Sequence, residues 1–191
     1  FIYAEPNWKE PEKKWKIHRV TAKGKWQRFT HGMGVGDING DNRKDIMDMN
    51  GWWEQPESLE SDSQWKFHPF KFSPGGGAHM YAYDVDGDGD NDVITSIAAH
   101  GYGLCWYEHQ KKEGRIHFVP HTFMNAKPNE NRYGVKFSQL HAIDLVDMNR
   151  DGLMDIVTGK RFWAHGPNGD AEPNAPAVLY WFELQRNKNN S

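Results

Sequence analysis

Five histidines of this chain stand where their imidazoles could act together. His31, His79 and His141 come five or six residues before an Asp-rich turn, and His100 and His165 each sit inside Ala-His-Gly. Neutral imidazoles bind zinc or another transition metal, commonly three or four at one centre. An imidazole can instead act as a general base, since its pKa lies near working pH. Lys160 and Arg161, just ahead of Trp163 and His165, could hold a negative oxygen that develops during a reaction. Tyr102 is a candidate proton donor, as is Tyr133, and Lys136 is a candidate ligand contact beside Tyr133. Trp163, Tyr102 and Tyr133 offer flat apolar faces on which a sugar could stack. The plainer alternative is that these histidines bond backbone at loop corners.

A second chemistry lies in the turns. The stretch Tyr83–Asp92 places carboxylates at Asp84, Asp86, Asp88, Asp90 and Asp92. Crowded carboxylates repel unless a hard cation sits among them, and calcium takes six to eight oxygen ligands. The spacing occurs three times: Asp37, Asn39, Asp41, Asp45; Asp84, Asp86, Asp88, Asp92; Asp147, Asn149, Asp151, Asp155. Position 7 of the three turns, Arg43, Asp90 or Leu153, is so varied that only its carbonyl would contribute. An EF-hand needs Glu at position 12 and flanking helices. Here position 12 is Asp48, Thr95 or Thr158, and β-branched, strand-like runs follow the turns. The expectation is three calcium sites, each in a strand–turn–strand unit.

The elements that must position these residues recur in order. An aromatic pair followed by Glu occurs as Trp52-Trp53-Glu54, Trp106-Tyr107-Glu108 and Trp181-Phe182-Glu183, and the opening Ile-Tyr-Ala-Glu resembles a degenerate copy. An aromatic-x-x-His run follows the first three: Trp15 to His18, Trp65 to His68, Phe118 to His121. His18, His68 and His121 are expected to be structural, and His109 and His117, which flank a polar stretch, are expected at the surface. Four strands in repeats of this length read as β-propeller blades. The expected fold is all-β: an arc of about three to four four-stranded blades, over residues 1–22 (partial), 29–72, 78–124 and 138–186 (incomplete). An arc leaves two sheet edges open, so the remaining blades are expected from missing chain or another subunit. The inner-strand entries and the connections after second strands would then share one end, bringing the five histidines to one mouth. Two long insertions, residues 124–140 and 161–177, would add to it.

The runs GVGDINGDNRKDIM and DLVDMNRDGLMDIVTG resemble FG-GAP/VCBS repeats of calcium-binding propellers. HGMGVGDINGD, SIAAHGYGLCWYE, FSQLHAIDLVD and GKRFWAHGP are more particularly similar to the propeller of aldos-2-ulose dehydratase-like proteins. That resemblance implies a seven-bladed propeller acting on keto-sugars, of which this chain would hold about half.

Composition narrows the classes further. The net charge of −3, with scattered basic residues, gives no electrostatic footprint for nucleic acid. No apolar run is long enough to span a membrane. The single cysteine, Cys105, is read as a small buried hydrophobe, and Gly75–Gly77 as a turn without the Lys and Ser/Thr of a phosphate loop. Asn189-Asn190-Ser191 is a formal glycosylation sequon. Two functions follow as expectations: a lyase or dehydratase of a keto-sugar at the His-lined mouth, or a non-catalytic carbohydrate-binding or adhesion propeller; a pure scaffold is a third. Filled calcium turns suit an extracellular or periplasmic setting.

Overall fold

The structure, a computed structural model, describes residues 1–24, 30–60 and 64–186. The sequon and a few positions within the expected second blade lie outside the described residues. The fold is all-β, and among the described residues no α-helix occurs, only a 3-10 turn at Pro128–Glu130. Among the described residues no helix is long and apolar enough to cross a membrane.

Among the described residues, thirteen strands form four antiparallel sheets. The first pairs β1 (Ile2–Glu5) with β2 (Lys16–Arg19). The second is β3 (Met33–Gly36), β4 (Asp45–Asp48), β5 (Gly51–Glu54) and β6 (Lys66–Pro69). The third is β7 (Tyr81–Tyr83), β8 (Asp92–Ser96), β9 (Leu104–Lys112) and β10 (Arg115–Met124). The fourth holds β11 (Ile143–Val146), β12 (Asp155–Lys160) and β13 (Val178–Phe182). Within each sheet the strands lie in chain order, as short turns between period-two segments dictate.

Alternate side chains of these strands face neighbouring sheets. Val20, Ile46, Trp53 and Trp65 fill the space between the first and second sheets. Ile38, Met47, Trp52, Phe72, Met80, Val93, Tyr107 and Phe118 fill the next. Ala78, Leu104, Met124, Phe137, Leu140 and Ile143 join the third sheet to the fourth. Each sheet therefore packs on the next one in sequence. The first strands also meet edge to edge. Gly34 bridges Met80 in parallel, and a Cβ at Gly34 would collide with the Met80 carbonyl. The Tyr81 hydroxyl donates to Ile143 O at 3.0 Å, tying β7 to β11.

One expectation is corrected. His117 is exposed, but His109 is buried, in β9 against Phe118. It lies on the β9 face turned toward the core, and burial lowers its pKa and holds it neutral. The flanking charges that suggested exposure belong to the hairpin tip beyond it.

Candidate functional site

The first strand of each full sheet starts, and the second strand ends, at the same end of the molecule. The connections there are laced together: Ala99 N–H donates to Gly76 O at 2.6 Å, Gln139 N–H to Gly101 O at 2.8 Å and Ala171 N–H to His100 O at 3.3 Å. Ser96 Oγ donates to Leu140 O at 3.0 Å and accepts the Ala78 N–H at 2.8 Å. This lacing brings four imidazoles into contact. Ring centroids lie 4.7 Å apart for His31–His100, 5.5 Å for His31–His141, 4.5 Å for His100–His141 and 4.6 Å for His100–His165. One nitrogen from each of His31, His100 and His141 falls within 4.8 Å of the other two.

Hydrogen bonds fix which nitrogen faces the centre. A carboxylate or carbonyl can only accept, so an imidazole nitrogen beside one must carry the proton. His100 Nδ1–H donates to Asp170 Oδ1 at 2.9 Å, and His165 Nδ1–H to Asp170 Oδ2 at 2.7 Å. His141 Nδ1–H points to Gln139 O at 3.3 Å. With Nδ1 turned to an acceptor, Nε2 of each ring is the nitrogen left to face the cluster, and His100 Nε2 lies within hydrogen-bond distance of His31 Nε2, at 3.1 Å. Burial and the neighbouring His100, Arg161 and His31 push the pKa of His141 down, which keeps it neutral. Burial raises the Asp170 carboxyl, but the bonds from His165 and His100 outweigh it, leaving it below the usual carboxylate range.

A polar group adjoins the cluster through the same chain segment. Glu172 pairs with Lys136, which holds its carboxyl below the usual range, and bonds the Tyr102 hydroxyl. Burial and Glu172 push Tyr102 up to about 12, so it stays a protonated phenol. Lys136 also lies over the Tyr102 ring, 5.5 Å from its centroid. The segment enforcing this is strained: Asp170 and Glu172 both have left-handed φ, +38° and +46°, as does Trp163 at +55°. Such conformations concentrate at working sites. Two of the residues that organise the cluster, Asp170 and Glu172, were not singled out from the sequence, although Gly-Asp-Ala-Glu in a long loop was a visible signal.

The other candidates are placed differently. His79 stands outside the ring contacts, its Nδ1 3.1 Å from Ile143 O, in a groove shared with Tyr81 and Arg161. The Lys160 ammonium is buried and donates to the carbonyls of Arg161 and Ala175, both at 3.1 Å, so it clamps the loop that carries Asp170. Trp163 stacks on Phe162 and donates to Asn174 Oδ1 at 2.9 Å. Tyr133 borders a separate cavity with Val85, Met154 and Leu184 at the opposite, acidic-turn end.

At that end the three acidic turns share one construction. Asp45, Asp92 and Asp155 are buried and each accepts two backbone N–H groups: from Ile38 and Gln55, from Val85 and His109, and from Met148 and Leu184. An ionised carboxylate has about four lone-pair sites, so these bonds leave capacity for a cation. Asp37 and Asp147 also accept turn amides, and one oxygen each of Asp84, Asp86 and Asp88 lie within 4.8 Å of one another. Asn39 and Asn149 bond Asp41 and Asp151 within their turns. Arg43 pairs with Asp41, Asp90 pairs with Lys111, and Leu153 donates its N–H to Asp151. Comparison with known families, with curated proteins and with solved structures finds no match to this chain.

Proposed function

We propose that this chain is an arc of a calcium-stabilised, FG-GAP-like β-propeller whose His-lined end holds a divalent transition metal and binds a carbohydrate, acting there as a lyase on a keto-sugar. The single observation that carries the site is the convergence of the His31, His100 and His141 nitrogens, with Nδ1 of His100 and His141 tied to acceptors. Carboxylate–histidine pairs of the Asp170 kind orient metal-binding imidazoles. Three imidazoles that leave a position open are the donor set of a catalytic zinc site. Zinc or a similar ion there would polarise a substrate carbonyl.

The chain's own residues would do the rest. His165, oriented by Asp170 through Nδ1–H, presents Nε2 as a base for the proton on the carbon beside the carbonyl. As that C–H bond breaks, a C=C bond forms and the β C–O bond breaks. Tyr102, kept protonated, gives its proton to the departing hydroxyl, which leaves as water. Lys136 would hold the Tyr102 ring, and the hydroxyl, whose proton faces Glu172 at rest, would turn from that carboxylate to the leaving group.

The test begins with chain stripped of divalent ions. Zinc titration should show one tight site, lost in the His31→Ala/His100→Ala/His141→Ala variant. A 2-keto-sugar should then yield the ultraviolet absorbance of a conjugated enone. Absence of the tight site would end this reading, and sugar binding without enone would favour the non-catalytic binding module.

A further inference from the structure

Asp170 stands between two imidazoles rather than behind one. Its Oδ1 accepts from His100 Nδ1 at 2.9 Å and its Oδ2 from His165 Nδ1 at 2.7 Å. A carboxylate that only orients a metal-binding ring needs one such bond. The Asp170 side chain is nearly buried, 9% exposed, and that of His165 is 53% exposed, so the group opens to solvent on the His165 side. The two rings stack, with centroids 4.6 Å apart and planes 30° from parallel. One ligand atom from each of His100, His165 and Asp170 lies within 4.8 Å of the other two.

The loop is shaped for this approach. Gly169 N–H closes a turn onto Gly166 O at 3.4 Å, which folds the chain back on itself. A Cβ at Gly169 would come within 2.6 Å of His165 O and 2.7 Å of His165 Cβ, so glycine is needed for Asp170 to lie against His165. Lys160 anchors the loop farther on, donating to Ala175 O at 3.1 Å. The three donor atoms are therefore set by the loop itself. Atoms bound to tetrahedral zinc at about 2.0–2.2 Å lie roughly 3.3 Å apart, so each Nδ1–carboxylate contact need widen by only about half an ångström to admit an ion.

We propose that His100 Nδ1, His165 Nδ1 and Asp170 form a second, weaker divalent-ion position beside the one made by His31, His100 and His141. His100 belongs to both, giving Nε2 to the first ion and Nδ1 to the second. As the second ion binds, the His165 proton moves from Nδ1 to Nε2 of the same ring, and the His100 proton passes to solvent. His100 then bridges the ions as an imidazolate, and its negative charge with that of Asp170 offsets the repulsion between them. Giving up that proton and two charge-assisted hydrogen bonds makes the second ion the weaker. The consequence for the reaction rests on the proposed role of His165 as base. With zinc on Nδ1, its Nε2 carries the proton and donates, so it cannot take one from the substrate, and excess zinc inhibits.

Equilibrium dialysis of zinc against ion-stripped chain tests this, with excess calcium present to compete at the acidic turns. The unaltered chain should take up two ions in two steps. In His165→Ala, a half-exposed position outside the core, the second ion should be weakened at least about 10–100-fold, the range for losing even an outer partner of a ligand, and the tight ion should be kept. A single ion in the unaltered chain, or a second that persists in His165→Ala, would overturn the proposal. A His165-dependent ion without the tight one would instead end the reading of the His31–His100–His141 site and leave this position standing. Enone formation should fall as the second ion fills, and turnover unchanged at full occupancy would overturn the inhibition.

Discussion

Asp170 faces two imidazoles at 2.9 and 2.7 Å and so decides which nitrogens of His100 and His165 remain to bind. Asp170→Asn keeps the size but loses the charge and one acceptor oxygen. It should weaken zinc binding about 10–100-fold, the usual consequence of losing an outer partner of a metal ligand. Competition against a chelator of known affinity measures this, and an unchanged constant would leave Asp170 a loop residue only. Elsewhere the same side chain packs. His68 stacks on Trp52, which sits at the centre of the core between the second and third sheets. Trp52→Ala should cost about 3–5 kcal/mol in urea unfolding, while at Trp8, 86% exposed, the same change should stay within about 0.5 kcal/mol. Both kinds of histidine were separable in the sequence by position: His31, His79 and His141 shortly before an acidic turn and His100 and His165 in Ala-His-Gly, against His18, His68 and His121 at the end of an aromatic-x-x-His run. His109 was not, because Lys111 and Lys112 continue the same strand β9 out past the core, and only the pairing shows where burial along it stops.

The acidic turn is an element with two layers. Its outer carboxylates face solvent, and its ninth residue is buried beneath them and braces the turn to the third strand. Burial raises Asp45 to about 6 and Asp92 to about 7, despite the amides they accept. A carboxyl whose folded pKa exceeds its unfolded one binds more protons in the native state. In calcium-free chain these two therefore lower stability as pH rises from about 4 toward 7. A cation favours the carboxylate and reverses that loss. Calcium should accordingly raise Tm more at pH 8 than at pH 4.5, as thermal melts at both values would show; an equal shift would mean the ion binds elsewhere. The Asp-x-Asn/Asp-x-Asp spacing was legible without coordinates. The bracing bonds were not, since their partners, Gln55, His109 and Leu184, arrive from another strand.

Across the whole molecule the sheets stay in register because first strands approach through backbone. Gly34→Val would force β3 away from Met80 and shift His31, which lies just before it. Unfolding free energy should fall by about 1–3 kcal/mol, and zinc affinity should fall with it. Gly89→Ala, which meets nothing within 4 Å, should spare zinc affinity; equal effects of the two on zinc would detach the cluster from sheet spacing. The all-β class, the strand sequence and the acidic turns were written in local periodicity and spacing, which act over a few residues. Convergence of His31, His100, His141 and His165, the separation of His79 and Tyr133 from them, and the use of Lys160 as a clamp rest on contacts between segments far apart in the chain. Loop paths decide those contacts, and no local rule carries them, so they emerged only when the sheets packed.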